Sequence, residues 1–467
     1  MTETLLHLAP RARSRDVGEL SEKMIDLLTG AVDVLEVTAG LEAEGIGDRI
    51  AKEYGHDDVF KLAAFLYAGT VRRPARPKPA PNPWAGTGRT WVRNVNYLLR
   101  GLLFGMPGAG YVAAAPLLGQ RSAGLVLTLS LVLCWPVSQG VAALAYSRPS
   151  PAGTRRVLRL GVLYGVPLTM VQSIVIGLLL DSGTAVVAVA CAQSLYLMTA
   201  SATLVGGAEV GMLVALLPGV VVTFTGLPGE VVIVGWAVTG LAVLLLALDR
   251  TCVSKDERDG MPMSTGGVSW IALRAAGPYA LFGLLAGALL TFTIVCAYGG
   301  YGAPPDATSA AMVALSVSMG IAEWVLFAFR SRGHDLLQVS FALREFVFDV
   351  RLALVDLVGR YLALLAVLLG VAITLTEPRA LPIEGAVQVF CGYLLLGGAL
   401  LLALTLQSCG RTRASLLCCS TALAAEVGVM ITISPDPSVV QLSGAVVLFT
   451  VLFCFAVAVL GRATTHQ

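Results

Sequence analysis

DRTCVSKDERDGMPMSTGGVSWIALR, residues 249–274, is the longest polar break in an apolar sequence that runs from Val95 to Leu406. On each side of it lie six apolar segments long enough to cross a bilayer. Basic loops next to short membrane spans stay in the cytoplasm, and four basic residues lie in this insert: Arg250, Lys255, Arg258 and Arg274. The insert therefore predicts a cytoplasmic hinge between two six-span halves.

The composition excludes a soluble globular protein. Of the 467 residues, 56% are hydrophobic and only 13% are charged, whereas an average soluble domain has about 25% charged residues. The nine cysteines lie mostly within apolar runs without a CxxC pair, and the four histidines are scattered. We therefore expect a polytopic membrane protein without a disulfide framework, a metal site or a cofactor.

Twelve apolar segments have about the 20 residues that a helix needs to span the hydrocarbon. With the N-terminus inside, the even-numbered loops hold nearly all the basic residues, and the odd-numbered loops hold only Arg121 and Arg379. This alternation predicts twelve spans with both termini in the cytoplasm. The expected spans are 95–118, 122–146, 156–180, 183–204, 207–226, 229–248, 272–297, 307–329, 358–376, 383–408, 412–433 and 437–461.

The first 70 residues have the periodicity of a small helical unit. Gly45 and Gly55 are placed to end helices, and Asp57 is placed to cap the next one. Basic residues do not outnumber acidic ones, which disfavours nucleic-acid binding. The unit is interpreted either as a docking module for a cytoplasmic protein partner or as a packing cap on the membrane domain.

Two further segments are predicted to lie at the membrane surface. Residues 71–94 are rich in proline and arginine, which predicts an extended tether whose basic charge suits anionic lipid headgroups. Residues 335–357 place charges at helical spacing, and we expect an amphipathic helix or an inward extension of span nine. Its apolar face comprises Phe341, Phe348, Leu352 and Val355. The membrane halves are then 95–248 and 274–467, joined by the loop 249–273.

The two halves begin with related segments. Span one enters as WVRNVNYLLRGLLFGMPGAG, residues 91–110, and span seven as WIALRAAGPYALFGLLAG, residues 270–287. Each has a tryptophan, an arginine and an interrupted run containing Leu-Phe-Gly. Interrupted helices at matching positions predict a substrate pathway between the halves. Arg100 and Arg274 are candidate ligands for a phosphate or pyrophosphate, and the alternative is that both extend to the inner headgroups.

Three carboxylates fall within predicted spans: Glu209, Glu323 and Glu426. An ionisable residue inside the membrane is expensive, so a functional role is the first interpretation. A carboxylate that bonds a neighbouring helix or faces a wet vestibule is equally consistent with the sequence. These three acids join Arg100 and Arg274 as the candidate substrate-binding residues.

The segment 116–159, PLLGQRSAGLVLTLSLVLCWPVSQGVAALAYSRPSPAGTRRVLR, resembles the opening of the MOP superfamily of flippases, especially its polysaccharide branch. The shared features are Leu118-Gly119 and Gly124 around the first outer turn, Arg148 at the end of the second span, and a basic inner loop. The resemblance implies a six-plus-six layout and a lipid-linked saccharide as cargo. The superfamily's sodium- and proton-coupled drug exporters match less well, since span one lacks an acidic residue.

The function predicted from these features is alternating-access export of a lipid-linked saccharide across a bacterial cytoplasmic membrane. No P-loop or HExxH motif occurs, and we expect no enzyme activity. A major-facilitator carrier is one alternative, although the loop SRPSPAGTRRVLRLG, residues 147–161, lacks the aspartate of the GxxxDR pattern. The other alternative is a non-transporting scaffold that recruits a partner through residues 1–70. The expected partners are membrane lipid and the cytoplasmic partner, without nucleic acid.

Overall fold

The computed structural model describes residues 16–31, 33–70, 90–118, 121–252, 269–301, 307–339, 343–376 and 383–460. Within these ranges every regular element is helical. The chain divides into two compact units, Met1–Pro81 and Asn82–Gln467. The predicted all-α membrane fold is confirmed. Residues 71–89 of the tether and 253–268 of the central insert lie outside the described ranges.

The described part of the N-terminal unit contains five short helices around a core of its own. They are α1 (Val17–Lys23), α2 (Ile25–Gly30), α3 (Val34–Ala43), α4 (Asp48–Glu53) and α5 (Val59–Gly69). Buried residues from α1 to α5 meet in one cluster that includes Leu20, Leu28, Val37, Leu41, Ala51, Leu62 and Leu66. A short chain with this many buried apolar side chains forms a separate, small core.

The turns of this unit follow the sequence prediction, with one shift. Gly45 and Gly55 have φ angles of 81° and 83°, a left-handed conformation that glycine adopts without steric cost. The predicted cap, Asp57, is wrong by one residue. Asp58 has the extended backbone of an N-cap and accepts a hydrogen bond from the Lys61 amide, while Asp57 pairs with the Lys61 side chain.

The membrane unit contains a helix for each of the twelve predicted spans. Spans 2 to 4 are Arg121–Tyr146, Pro151–Leu179 and Thr184–Val205, and spans 5 and 6 are Glu209–Phe224 and Gly229–Arg250. Spans 7 to 9 are Trp270–Tyr298, Ala307–Val339 and Leu343–Thr376. Spans 10 to 12 are Ile383–Ser408, Thr412–Ile433 and Pro437–Val459. Ten helices among the described residues are long and apolar enough to cross a membrane.

The two remaining spans are shorter or broken. Span 5 has 16 residues. Span 1 consists of Thr90–Gly105 and Gly108–Ala114, which are separated at Pro107. Proline has no N–H, so the carbonyl of Leu103, four residues earlier, loses its helical partner. The hydroxyl of Tyr196 in span 4 donates to that carbonyl at 2.6 Å. The break in span 1 is thereby tied to its neighbour.

The contacts among spans 1–6 recur among spans 7–12. In the first half, span 4 packs on spans 2, 3 and 6, and span 5 packs on span 6. In the second half, span 10 packs on spans 8, 9 and 12, and span 11 packs on span 12. The halves meet where span 2 packs on span 7 and where span 1 packs on span 8. Moving each span number by six converts one of these contacts into the other. The packing thus has the symmetry expected of an internal repeat.

Glycines lie at both contacts between the halves. A Cβ on Gly320 of span 8 would overlap the carbonyl oxygen of Tyr97 in span 1. At the other contact, a Cβ on Gly283 of span 7 would lie 2.9 Å from Gln139 Cγ in span 2. The glycines of the two Leu-Phe-Gly sequences, Gly105 and Gly283, therefore both lie between the halves. Small residues of this kind allow membrane helices to approach closely.

The predicted amphipathic segment divides between two helices. Residues 343–357 extend span 9 at its N-terminal end, and residues 335–339 end span 8. Phe346, Val350 and Leu354 are buried, whereas the predicted apolar face of Phe348, Leu352 and Val355 is exposed. Phe341 lies outside the described residues.

Candidate functional site

Arg100 joins three spans through its guanidinium group. Its Nε and Nη2 atoms donate to Glu209 Oε1 at 2.9 and 2.6 Å, and its Nη1 atom donates to Glu323 Oε2 at 2.7 Å. Arg100 belongs to span 1, Glu209 to span 5 and Glu323 to span 8. We call these three residues the charge cluster. One of its ion pairs lies within the first half, and the other crosses to the second half.

The dipoles at two helix ends stabilise the charges of Arg100 and Glu209 in the first half. Span 4 ends at Val205, and Gly207, with a φ of 70°, turns the chain into span 5. Glu209 is the first residue of span 5, where the positive end of the helix dipole favours a carboxylate. The carbonyl of Leu204, near the negative end of span 4, accepts from Arg100 Nη2 at 3.3 Å. The guanidinium thus lies between the C-terminal end of span 4 and the carboxylate at the N-terminal end of span 5.

The two carboxylates differ in their access to solvent. The side chain of Glu209 is 7% exposed, that of Arg100 is 23% exposed and that of Glu323 is 35% exposed. Separating a buried pair leaves an uncompensated charge in a medium of low dielectric. The Glu323 carboxylate is less enclosed by the protein, so its charge is less costly to separate. The contact between Arg100 and Glu323, which crosses between the halves, is therefore the easier of the two to open.

Aromatic rings and a second arginine extend the same contact. The guanidinium carbon of Arg93 lies 4.6 Å from the ring centre of Phe327, a cation–π distance. The rings of Tyr97 and Phe327 are 6.0 Å apart. Arg93 and Tyr97 lie on span 1, and Phe327 lies one turn beyond Glu323 on span 8. This side of the span 1–span 8 contact is therefore built from charges and rings.

A small apolar cavity lies beside the charge cluster. Its volume is about 200 Å³, and its lining comes from spans 1, 8 and 9. Tyr97 and Trp324 provide its aromatic surface, and Trp324 directly follows Glu323. The other lining residues are Asn94, Leu98, Gly320, Ile321 and Leu364. An apolar group can thus lie next to the charges without entering the cluster.

The structure does not bring Arg274 into the charge cluster. Arg274 is exposed in the first turns of span 7, and within the described ranges no hydrogen bond or ion pair joins it to the cluster. Arg100 precedes its Leu-Phe-Gly sequence by three residues, whereas Arg274 precedes its own by seven. Four residues of helix correspond to about 6 Å. Measured from the Leu-Phe-Gly sequence, Arg274 therefore lies about one turn nearer the N-terminus of its helix than Arg100 does. The two arginines do not have equivalent positions.

Glu426 occupies a separate position in the second half. Its side chain is buried in span 11 against Gly444 of span 12, where a Cβ would overlap Glu426 Oε1. Its Oε2 atom has no hydrogen-bond partner among the described residues. Phe292, Met430 and Val440 form an apolar cluster of spans 7, 11 and 12. Of the five candidate residues, the structure thus unites Arg100, Glu209 and Glu323 and leaves the other two apart.

The sequence contains partial signals for two of these contacts. The position of Pro107, four residues after Leu103, indicated an unpaired carbonyl that needs a donor, but not that Tyr196 supplies it. A buried arginine requires an acidic partner, but spacing along the chain does not choose between Glu209, Glu323 and Glu426. Within the described ranges, no group of three His, Cys, Asp or Glu residues has the geometry to hold a metal ion.

Comparisons with known proteins find similarity only in structure. No family model matches the chain, and no curated protein matches its sequence. The crystal structure of the Vibrio cholerae MATE transporter VcmN in its bent form is 15% identical, with a TM-score of 0.44, and the match covers 79% of this chain and 96% of that one. An inward-facing multidrug resistance MATE family transporter of the MOP superfamily is also 15% identical, with a TM-score of 0.42 and coverage of 81% and 97%. Neither is described as a member of the polysaccharide branch.

Proposed function

We propose that the chain is an alternating-access transporter whose halves move about the contacts of span 1 with span 8 and of span 2 with span 7. The observation that carries this proposal is the charge cluster, in which Arg100 holds Glu209 of its own half and Glu323 of the other half. The packing repeat supports it, because the two contacts between the halves are equivalent under the same shift of six spans.

In this proposal the charge cluster holds the two halves together on the cytoplasmic side. The basic loops orient the chain with both termini inside, which places Glu209, at the start of span 5, towards the cytoplasm. Opening breaks the bond between Arg100 and Glu323, since the Glu323 carboxylate regains water. Arg100 stays paired with the buried Glu209. The first half then keeps a neutral pair, and Nη1 of Arg100 becomes free to bind an incoming anionic group.

The cargo we propose is a lipid-linked saccharide with a phosphate or pyrophosphate head, moved across a bacterial cytoplasmic membrane. The planar guanidinium of Arg100 matches a phosphate once Glu323 has released it. The adjacent apolar cavity beside Tyr97 and Trp324 suits part of the lipid chain. Arg274, exposed near the inner end of span 7, is proposed as a first contact for the anionic head. We assign no cargo contact to Glu426.

The test measures distances between the halves in the full-length protein in nanodiscs. One pair of spin labels, on Ser147 and Arg413, reports on the inner side, and another pair, on Thr225 and Thr432, reports on the outer side. All four residues are exposed. We expect two populations at each pair, with the inner distance long when the outer one is short. Glu323→Gln should shift the population towards the longer inner distance.

The matched control is Arg360→Gln, which removes an exposed arginine that pairs with Asp356 on the same helix. This control should leave both distance distributions as in the parent. A single fixed distance at both pairs, in the parent and in Glu323→Gln alike, would contradict alternating access and favour the scaffold interpretation.

A further inference from the structure

Helix α5 of the N-terminal unit is apolar on both of its sides. Val59, Leu62, Ala63 and Leu66 are buried in the core of the unit. On the opposite side Phe60 is 54% exposed and Phe65 is 56% exposed, with Ala64 and Ala68 exposed between them. We call Phe60, Ala64, Phe65 and Ala68 the α5 patch. A helix that is hydrophobic all round is normally covered on every side.

The charges of the unit are distributed unevenly around this patch. Lys61 is the only charged residue from Val59 to Gly69, and no carboxylate occurs in that helix. Other helices carry many carboxylates, and Leu35, whose side chain at 64% is the most exposed large apolar one among residues 16–70 that the structure describes, lies between Asp33 and Glu36. The α5 patch therefore has no carboxylate within its own helix, and Asp57, which precedes the helix, is paired with Lys61.

The sequence that follows α5 points to the occupant of the patch. Residues 70–89 separate the end of α5 from the start of span 1 at Thr90. Whatever their conformation, 20 residues reach at most about 70 Å, so α5 stays within that distance of the start of span 1. The stretch begins with Arg72, Arg73, Arg76 and Lys78. Juxtamembrane basic clusters of this kind are attracted to anionic headgroups.

We propose that the α5 patch binds the surface of an anionic lipid bilayer, with Phe60 and Phe65 inserted between the headgroups. Aromatic and apolar side chains on one helix face, with basic residues beside them, are the features of helices that lie in the membrane interface. The short connection to span 1 keeps the effective concentration of lipid high, so a weak intrinsic affinity is sufficient. The proposal does not depend on whether the chain transports a cargo.

The test uses the full-length protein in nanodiscs with a fluorescent amino acid at Ala64, between the two phenylalanines. Spin-labelled lipids quench only a fluorophore that contacts the bilayer. We expect quenching in discs that contain phosphatidylglycerol and weaker quenching in discs of phosphatidylcholine alone. The double variant Phe60→Ser/Phe65→Ser should lose the quenching. Both side chains are largely exposed, so the fold of the unit, followed by circular dichroism, should not change.

Leu35→Ser is the matched control, because it removes a more exposed apolar side chain that acidic residues flank. It should keep the quenching of the parent. Three outcomes would overturn the proposal: an unquenched fluorophore that remains accessible to aqueous iodide, quenching that persists in the double variant, or a fluorophore shielded from both lipid and iodide. The last outcome would show that a protein surface covers the patch.

Discussion

Arg100 balances two carboxylates in a part of the chain that is largely shielded from water. Two hydrogen bonds from Arg100 go to Glu209 Oε1, and a third goes to Glu323 Oε2. The single positive charge is therefore shared by two negative ones, and each partner depends on it differently. Glu209 is almost fully enclosed by the protein, whereas Glu323 is partly exposed. Loss of the arginine should harm the fold more than loss of either carboxylate.

We predict that Arg100→Gln lowers the free energy of unfolding by about 3–5 kcal/mol, since it leaves a buried carboxylate without a partner. Glu323→Gln should cost less, because that pair is less enclosed by the protein. The double variant Arg100→Gln/Glu209→Gln should be more stable than Arg100→Gln alone, since it removes the orphaned charge. Thermal unfolding in detergent measures all three. Equal stability of Arg100→Gln and the parent would show that the cluster does not hold the spans together.

Spans 1 and 8 approach each other closely because glycines, which have no side chain, lie in their contact. Gly320 lies directly on the backbone of span 1, where a Cβ would come within 2.6 Å of the Gly101 nitrogen and 2.9 Å of its Cα. Gly105 lies against Val317 in the same contact. Because backbone atoms cannot move aside as a flexible side chain can, an added methyl group must push the two spans apart.

We predict that Gly320→Ala destabilises the membrane unit by about 1–3 kcal/mol, the usual cost of overpacking. It should also lengthen the distance between the halves at Ser147 and Arg413. Gly370→Ala on span 9 is the control, because no atom lies within 4 Å of the added Cβ. That change should be neutral or stabilise by up to about 1 kcal/mol, as alanine is the better helix former. Similar thermal stability of the two variants would be incompatible with a close contact at Gly320.

At the scale of the whole molecule, the described part of the membrane unit has twelve spans in two equivalent sets, with basic residues on alternate loops. Each half is arranged around one span: span 4 packs on spans 2, 3 and 6 in the first half, and span 10 packs on spans 8, 9 and 12 in the second. The hydroxyl of Tyr196 in span 4 reaches the Leu103 carbonyl of span 1, and that of Tyr393 in span 10 reaches the Leu290 carbonyl of span 7. The first span of each half is thus held by the same kind of bond.

The predicted topology is tested by labelling with a membrane-impermeant maleimide. Cys252, exposed at the end of span 6, should stay unlabelled in intact cells and react after permeabilisation. The variant Tyr301→Cys, exposed beyond the end of span 7, should react in intact cells. The parent chain, with its nine native cysteines, provides the background. Labelling of Cys252 from outside would reverse the orientation and place the charge cluster on the outer side.

The sequence by itself determined the number of spans and, through its arginines, a testable orientation. These follow from composition and local order, because a helix must bury about 20 apolar residues to cross a bilayer. The Leu-Phe-Gly sequences also indicated which segments of the two halves correspond. Only the tertiary structure decided that Arg100 pairs with Glu209 and Glu323, and that Arg274 and Glu426 lie elsewhere. Glu209 and Glu323 are 109 and 223 residues from Arg100 along the chain, and helix packing, which no local pattern encodes, brings them together.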